Sequence, residues 1–133
     1  MRTVLPILML LPACTPSVNP VLECQRRIVD KIQEPQLDPS DAAIKANAWG
    51  RAPLLKLDRK GCSKEQLAMV DRLISMTYEL EQLNEANTKA SRSGNKARHM
   101  AAYDRFIEKL YASDDLGKSA AAELDRIEAE HAQ

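Results

Sequence analysis

Apolar residues recur along most of this chain at spacings of three and four, with charged positions between them. Val21, Cys24, Ile28 and Ile32 follow at three, four and four residues, and Leu22 and Val29 widen the stripe. That period is helical. Asn19 then Pro20 supplies a cap and a proline at the first helical position. Pro35 ends this first helix. Asp38 and Pro39 give a second helix the same start. It packs Ala42, Ala43, Ala46 and Trp49 on one side and stops at Gly50.

Residues 51–61 read as a connector with a basic bias (Arg51, Lys56, Arg59, Lys60), tucked onto the core by Leu54, Leu55 and Leu57. The third helix has the clearest start. Ser63 and Gln66 make a capping box, and Cys62 with Leu67 makes a hydrophobic staple. Met69, Leu73, Met76, Leu80 and Leu83 then recur at four, three, four and three, a heptad seam continued weakly by Asn87 and Ala90. Val70 and Ile74 broaden it toward a bundle face. The seam suits a core or a partner-binding groove. Ser91 to Asn95, with Gly94, breaks the helix.

The same reading predicts a fourth helix from Lys96 to Ala112 with Met100, Tyr103, Ile107 and Leu110 inward. Ser113 to Asp115 is expected to cap a fifth, with Leu116, Ala120, Leu124 and Ile127 inward. No stretch alternates long enough for a strand. The expectation is an all-α fold, a small bundle of four to five helices.

The first residues differ in kind. Arg2 is followed by an apolar run from Val4 to Ala13. Spanning a hydrocarbon core of ~30 Å takes roughly 20 residues, so this run is too short. A positive start, a short apolar middle and a small residue at the boundary make a secretory signal. Leu11-Pro12-Ala13-Cys14 resembles the lipobox of bacterial lipoproteins. The resemblance implies cleavage before Cys14 and lipidation of its sulfur. Thr15, where an Asp would imply retention in the inner membrane, implies the outer membrane, periplasmic face. The expected organisation is therefore a signal at 1–13, a lipidated tether at 14–19 and one helical domain at 20–133.

If Cys14 carries lipid, two cysteines remain in an oxidising compartment, Cys24 and Cys62. They can form only one bridge. Closing a loop of about 39 residues is worth roughly 4 kcal/mol in the chain-entropy account. A small bundle with a modest core benefits from such a staple. Neither His99 nor His131 stands at a ligand spacing from either sulfur, so no metal site is expected.

Charge adds one further feature. The 19 basic and 19 acidic residues balance, so no global field draws the chain to nucleic acid or anionic lipid. Locally, Lys89, Arg92, Lys96 and Arg98 cluster with no acid between Asn87 and Asp104, whereas the last twenty residues are acidic. Two such segments neutralise each other, stay solvated, or leave the basic elbow to an anionic partner. No aromatic is interleaved for base stacking, so a nucleic-acid partner is not expected.

Catalytic chemistry finds little support. His99 has no acid nearby until Asp104, and His131 lies near the chain end. Glu79 and Glu81 diverge on a helix, and Asp114 and Asp115 read as capping. Gly117-Lys118-Ser119 lacks the earlier glycine and the strand of a phosphate loop. No cofactor or small-molecule substrate is suggested. The leading expectation is a membrane-anchored, non-enzymatic binding or assembly module for another envelope component. In build it resembles pilotins of secretion pores, exclusion lipoproteins and accessory lipoproteins of secretion or lysis systems. A small periplasmic enzyme acting on cell wall or lipid, and a self-associating spacer, are the rivals.

Overall fold

The computed structural model of the chain describes residues 19–34 and 51–132, and these are all-α with one disulfide. The expected second helix with Trp49, the signal segment and Cys14 lie outside the described residues. Four helices follow in order: α1 (Pro20–Gln33), α2 (Arg51–Leu55), α3 (Lys64–Arg92) and α4 (Lys96–Ala132). The 29 residues of α3 and the 37 of α4 pair antiparallel as a long hairpin, while α1 lies along one end of it. We call that end the foot and the α3–α4 turn the tip.

The ends of α1 and α3 are set by local chemistry. Asn19 accepts hydrogen bonds from the backbone N–H groups of Val21 and Leu22 at 3.1 and 3.2 Å. The Ser63 hydroxyl accepts from Gln66 N–H, and Gln66 Oε1 accepts in return from Ser63 N–H. Gly61 just before α3 is left-handed, and a Cβ there would stand 3.1 Å from Pro20 Cβ. Glycine thus lets the loop close against the start of α1.

The bridge between Cys24 and Cys62 pins α1 to the start of α3, with the two Cα atoms 5.3 Å apart. Cys24, Ile28, Leu57, Val70 and Ala120 form the core around it. A polar relay crosses the same layer. Gln66 Nε2 donates to Val21 O and to Gln25 Oε1, and Gln25 Nε2 donates to Ala120 O at 2.9 Å. Gln25 is almost fully buried. Its two bonds satisfy groups that would otherwise cost about 1–3 kcal/mol each to leave unpaired. Leu73, Met76 and Leu80 of the heptad seam are buried, Met69 packs partly buried against the core, and Leu83 is half-buried.

In the connector, Leu54 and Leu57 are buried, but Leu55 is exposed. The single turn of α2 turns it outward. Arg51, one of the four cations of the connector, is buried. Its guanidinium stacks 3.6 Å over the Tyr78 ring and pairs with Glu81 at 2.8 Å. The planar, weakly hydrated group covers an aromatic face better than an ammonium would.

The predicted fourth and fifth helices are one. Ser113, Asp114 and Asp115 sit inside α4 rather than capping a new start. Asp114 pairs with Lys118 one turn later, and the Ser119 hydroxyl donates to Asp115 O. Cap-like residues were thereby absorbed into side-chain bonds along a continuous helix. The inward register near the tip is also corrected. Met100 and Tyr103 are half exposed, and Ala102 faces inward at 3% exposure. Ala90 of α3 is buried as well. At that level the buried positions between the two helices are held by these two small side chains.

Two outcomes check this architecture. Cys24→Ser should lower Tm by roughly 15 °C, given about 4 kcal/mol for the lost cross-link. Calorimetry reads the shift, and Cys62 should become open to alkylation only in the variant. Gly117→Ala adds a Cβ that meets Ile32 Cγ2 at an ordinary 3.6 Å. It should stabilise the chain by about 0.5–1 kcal/mol in urea unfolding, because alanine propagates a helix better than glycine. A loss of stability would mean that α4 does not run through this point.

Candidate binding site at the hairpin tip

The turn between α3 and α4 is built from its own hydrogen bonds. Ser93 N–H donates to Lys89 O and Ala90 O, and the Ser93 hydroxyl donates to Ala90 O. Gly94 takes a left-handed φ of 74° with open space around it. Asn95 N–H donates to Ser93 Oγ, and Asn95 Oδ1 accepts from Arg98 N–H, which caps α4. The fold of the turn needs no charged side chain.

Four cations nevertheless gather there. Lys89 and Arg92 lie in the last turn of α3, and Lys96 and Arg98 in the first turn of α4. All four are exposed, and none forms an ion pair among the described residues. Lys89 and Arg92 complement the negative end of α3. Lys96 and Arg98 oppose the positive end of α4, each at a cost of about 0.3–1 kcal/mol. The other two long helices begin with an acid in the first turn, Glu23 and Glu65, and α4 begins with none. Two of the four cations at the tip thus work against the helix end that carries them.

A shallow groove of about 240 Å³ runs between α3 and α4 beside the turn. Ala86, Ala90 and Ala102 keep its floor low, and Lys89, Arg98 and Arg105 stand along it. Arg105 lies beyond Asp104 in the chain and was not among the cations expected to cluster. The missed signal was the spacing of 98, 102 and 105, which shares one face of a helix. Glu85 also lines the groove but pairs with none of the three cations.

The acidic stretch does not neutralise the tip. Arg98 and Glu123 are about 25 residues apart on one helix, or roughly 37 Å. The acids are met at their own end of the molecule. Arg126 holds Glu123 and Glu130, and Arg26 pairs with Glu128 at 3.3 Å. The hydrogen bond from Arg126 holds the Glu123 carboxyl below its ordinary value, and the same contact raises Arg126. The hydrogen bond to Asp114 raises Lys118. For Glu123 the sign is that of a favoured carboxylate. Its contribution is present above its unfolded pKa and disappears as pH falls through the lowered folded value.

The remaining candidates stay apart. His99 is half-buried, with no side-chain hydrogen bond among the described residues. Glu79 pairs with Lys109 and Glu81 with Arg51, so these two carboxylates serve different neighbours. Among the described residues, no group of three His, Cys, Asp or Glu could hold a metal ion, and no helix is long and apolar enough to cross a membrane. Comparison with protein-family models, characterised proteins and solved structures finds no match to the chain.

The unfavourable charge at the tip can be measured. Lys96→Glu should raise stability by about 0.3–1 kcal/mol, because an acid in the first turn complements the helix dipole. Urea unfolding at low ionic strength reads the gain, and added salt should shrink it. No gain would show that the tip carries no excess positive field.

Proposed function

We propose that this chain is a lipid-anchored, non-enzymatic binding module of the bacterial cell envelope. Cys14 tethers it to the outer membrane at the periplasmic face, and the hairpin tip docks an envelope component that presents anionic groups. The observation that carries this reading is the cluster of four cations, without an ion-pair partner among the described residues, at the end of the hairpin remote from Asn19. Residue 19 enters α1 at the foot, where Val21 O accepts from Gln66. The tip lies a helix length of 29 residues away, or roughly 43 Å.

Further features agree. The Cys24–Cys62 bridge suits an oxidising compartment. Two or more acyl chains on Cys14 would hold the chain to a bilayer firmly, whereas one would bind only marginally. The tip carries no aromatic between Lys89 and Arg98, which argues against a single-stranded nucleic acid as the docked component.

Fractionation tests the anchor. Cys14→Ser should move the protein from the membrane to the soluble periplasmic fraction, and intact mass should show no acyl chain. Continued membrane association of the variant would overturn the anchor. With the anchor intact, reversing Lys89, Arg92, Lys96 and Arg98 to Glu should abolish recovery of cross-linked envelope partners. Unchanged recovery would overturn the tip as the docking end.

A further inference from the structure

We infer that the groove beside the tip is a phosphate-binding site formed by Lys89, Arg98 and Arg105. The inference rests on reading the tip as the docking end and assigns the chemistry that docks there. Three cations from two helices line one groove, and none has an ion-pair partner among the described residues. Glu85 lines the same groove without pairing to them, so one positive side remains open. Two of the three are guanidinium groups, whose planar forks match the oxygens of an oxyanion.

The donor set favours phosphate over carboxylate. A carboxylate offers two oxygens and suits a single fork. A phosphate presents oxygens in several directions and can accept from two forks and an ammonium together. The groove lies between the three side chains. Its alanine floor lets an anion sit between the helices rather than above them, and its volume of about 240 Å³ holds a phosphate with part of its ester. The start of α4 adds to the field, since its first turn carries Lys96 and Arg98 and no acid. Bound phosphate would place negative charge where the helix end and its side chains lack it. Arg92 and Lys96 stand exposed on the turn beside Lys89 and Arg98, available to further phosphates of a surface.

The test uses the purified full chain carrying Cys14→Ser, so that no acyl chain contributes. Inorganic phosphate is titrated in at constant ionic strength, and ¹H–¹⁵N spectra are recorded. Saturable shifts confined to residues 86–105 and to the Arg98 and Arg105 Nε–H signals are expected. Arg98→Ala with Arg105→Ala should weaken the affinity at least about tenfold, with the circular dichroism spectrum unchanged. Arg72→Ala, on an exposed part of α3, should leave it unaltered. Acetate should bind at least about tenfold more weakly than phosphate.

Shifts that never saturate, that spread over all surface cations, or that persist in the double variant would overturn the site. Equal binding of acetate would overturn its assignment to phosphate. Two further arms identify the source. Sedimentation with phosphatidylglycerol vesicles, lost in the double variant, would make the ligand a lipid head group. Binding of glycerol phosphate without vesicle binding would make it a soluble phosphate ester. Either result supports the site. If the anchor reading fails, fractionation of Cys14→Ser shows it while this titration is unaffected.

Discussion

The placement of α1 against the foot of the hairpin governs the rest of the molecule. Two covalently joined sulfurs and one buried amide relay hold it there. Gln25 and Gln66 are polar groups in the layer that excludes water, so their bonds must be complete or the packing is penalised. Gln25 reaches across to the backbone of Ala120, and α1 thereby fixes α3 and α4 at once. A two-helix hairpin alone buries only one seam. With α1 in place, Ile28, Val70 and Ala120 become fully enclosed.

That third helix covers only part of the hairpin. Toward the tip the interface thins to Ala90 and Ala102, and Asn87 occupies a seam position with its Oδ1 buried and without a donor. A polar residue in a heptad seam lowers stability in return for register. The foot therefore carries most of the apolar burial, and the tip is left to surface chemistry. Charge follows the same division. Ion pairs at the foot close locally around Arg126 and Arg26, while the tip keeps its cations unpaired and sets two of them against a helix dipole. Sequences usually satisfy local rules, and a departure without structural compensation marks a place shaped by something other than folding.

What was legible in the sequence follows from how local each signal is. Asn19-Pro20 and the Ser63–Gln66 box act within four residues, so their chemistry could be read directly. The seam from Leu73 to Leu80 repeats often enough to show its period. The continuity of α4 was hidden because Ser113, Asp114 and Asp115 have the same preferences at a cap and in i,i+4 pairs. In the continuous helix Asp114 pairs with Lys118, and Gly117 lies against Ile32 of α1, a neighbour that spacing along the chain does not reveal. The register at Met100 and Tyr103 failed for a related reason. Large apolar residues were expected inward, yet the buried positions there are the small Ala90 and Ala102. The basic cluster was visible because a short turn brings its members together. Arg105 was not, since its membership depends on the groove between two helices.

The geometry also bears on how far such a module could reach. Under the proposed anchor, only four residues lie between Cys14 and Asn19, and the five steps from one to the other span at most about 18 Å when fully extended. The hairpin extends roughly 43 Å beyond the foot. The rigid part of the chain, not the tether, then sets where the tip can meet a partner. The disulfide is what makes this so, because it joins the tether's own helix to the start of α3. Without that joint, only the Gln25–Gln66 relay and the packing around Ile28 would hold α1 to the hairpin. Under that anchor, the cross-link that stabilises a small core would also transmit position from the tethered end to the charged end. A purely structural staple would need only the first of those properties, whereas a docking module needs both.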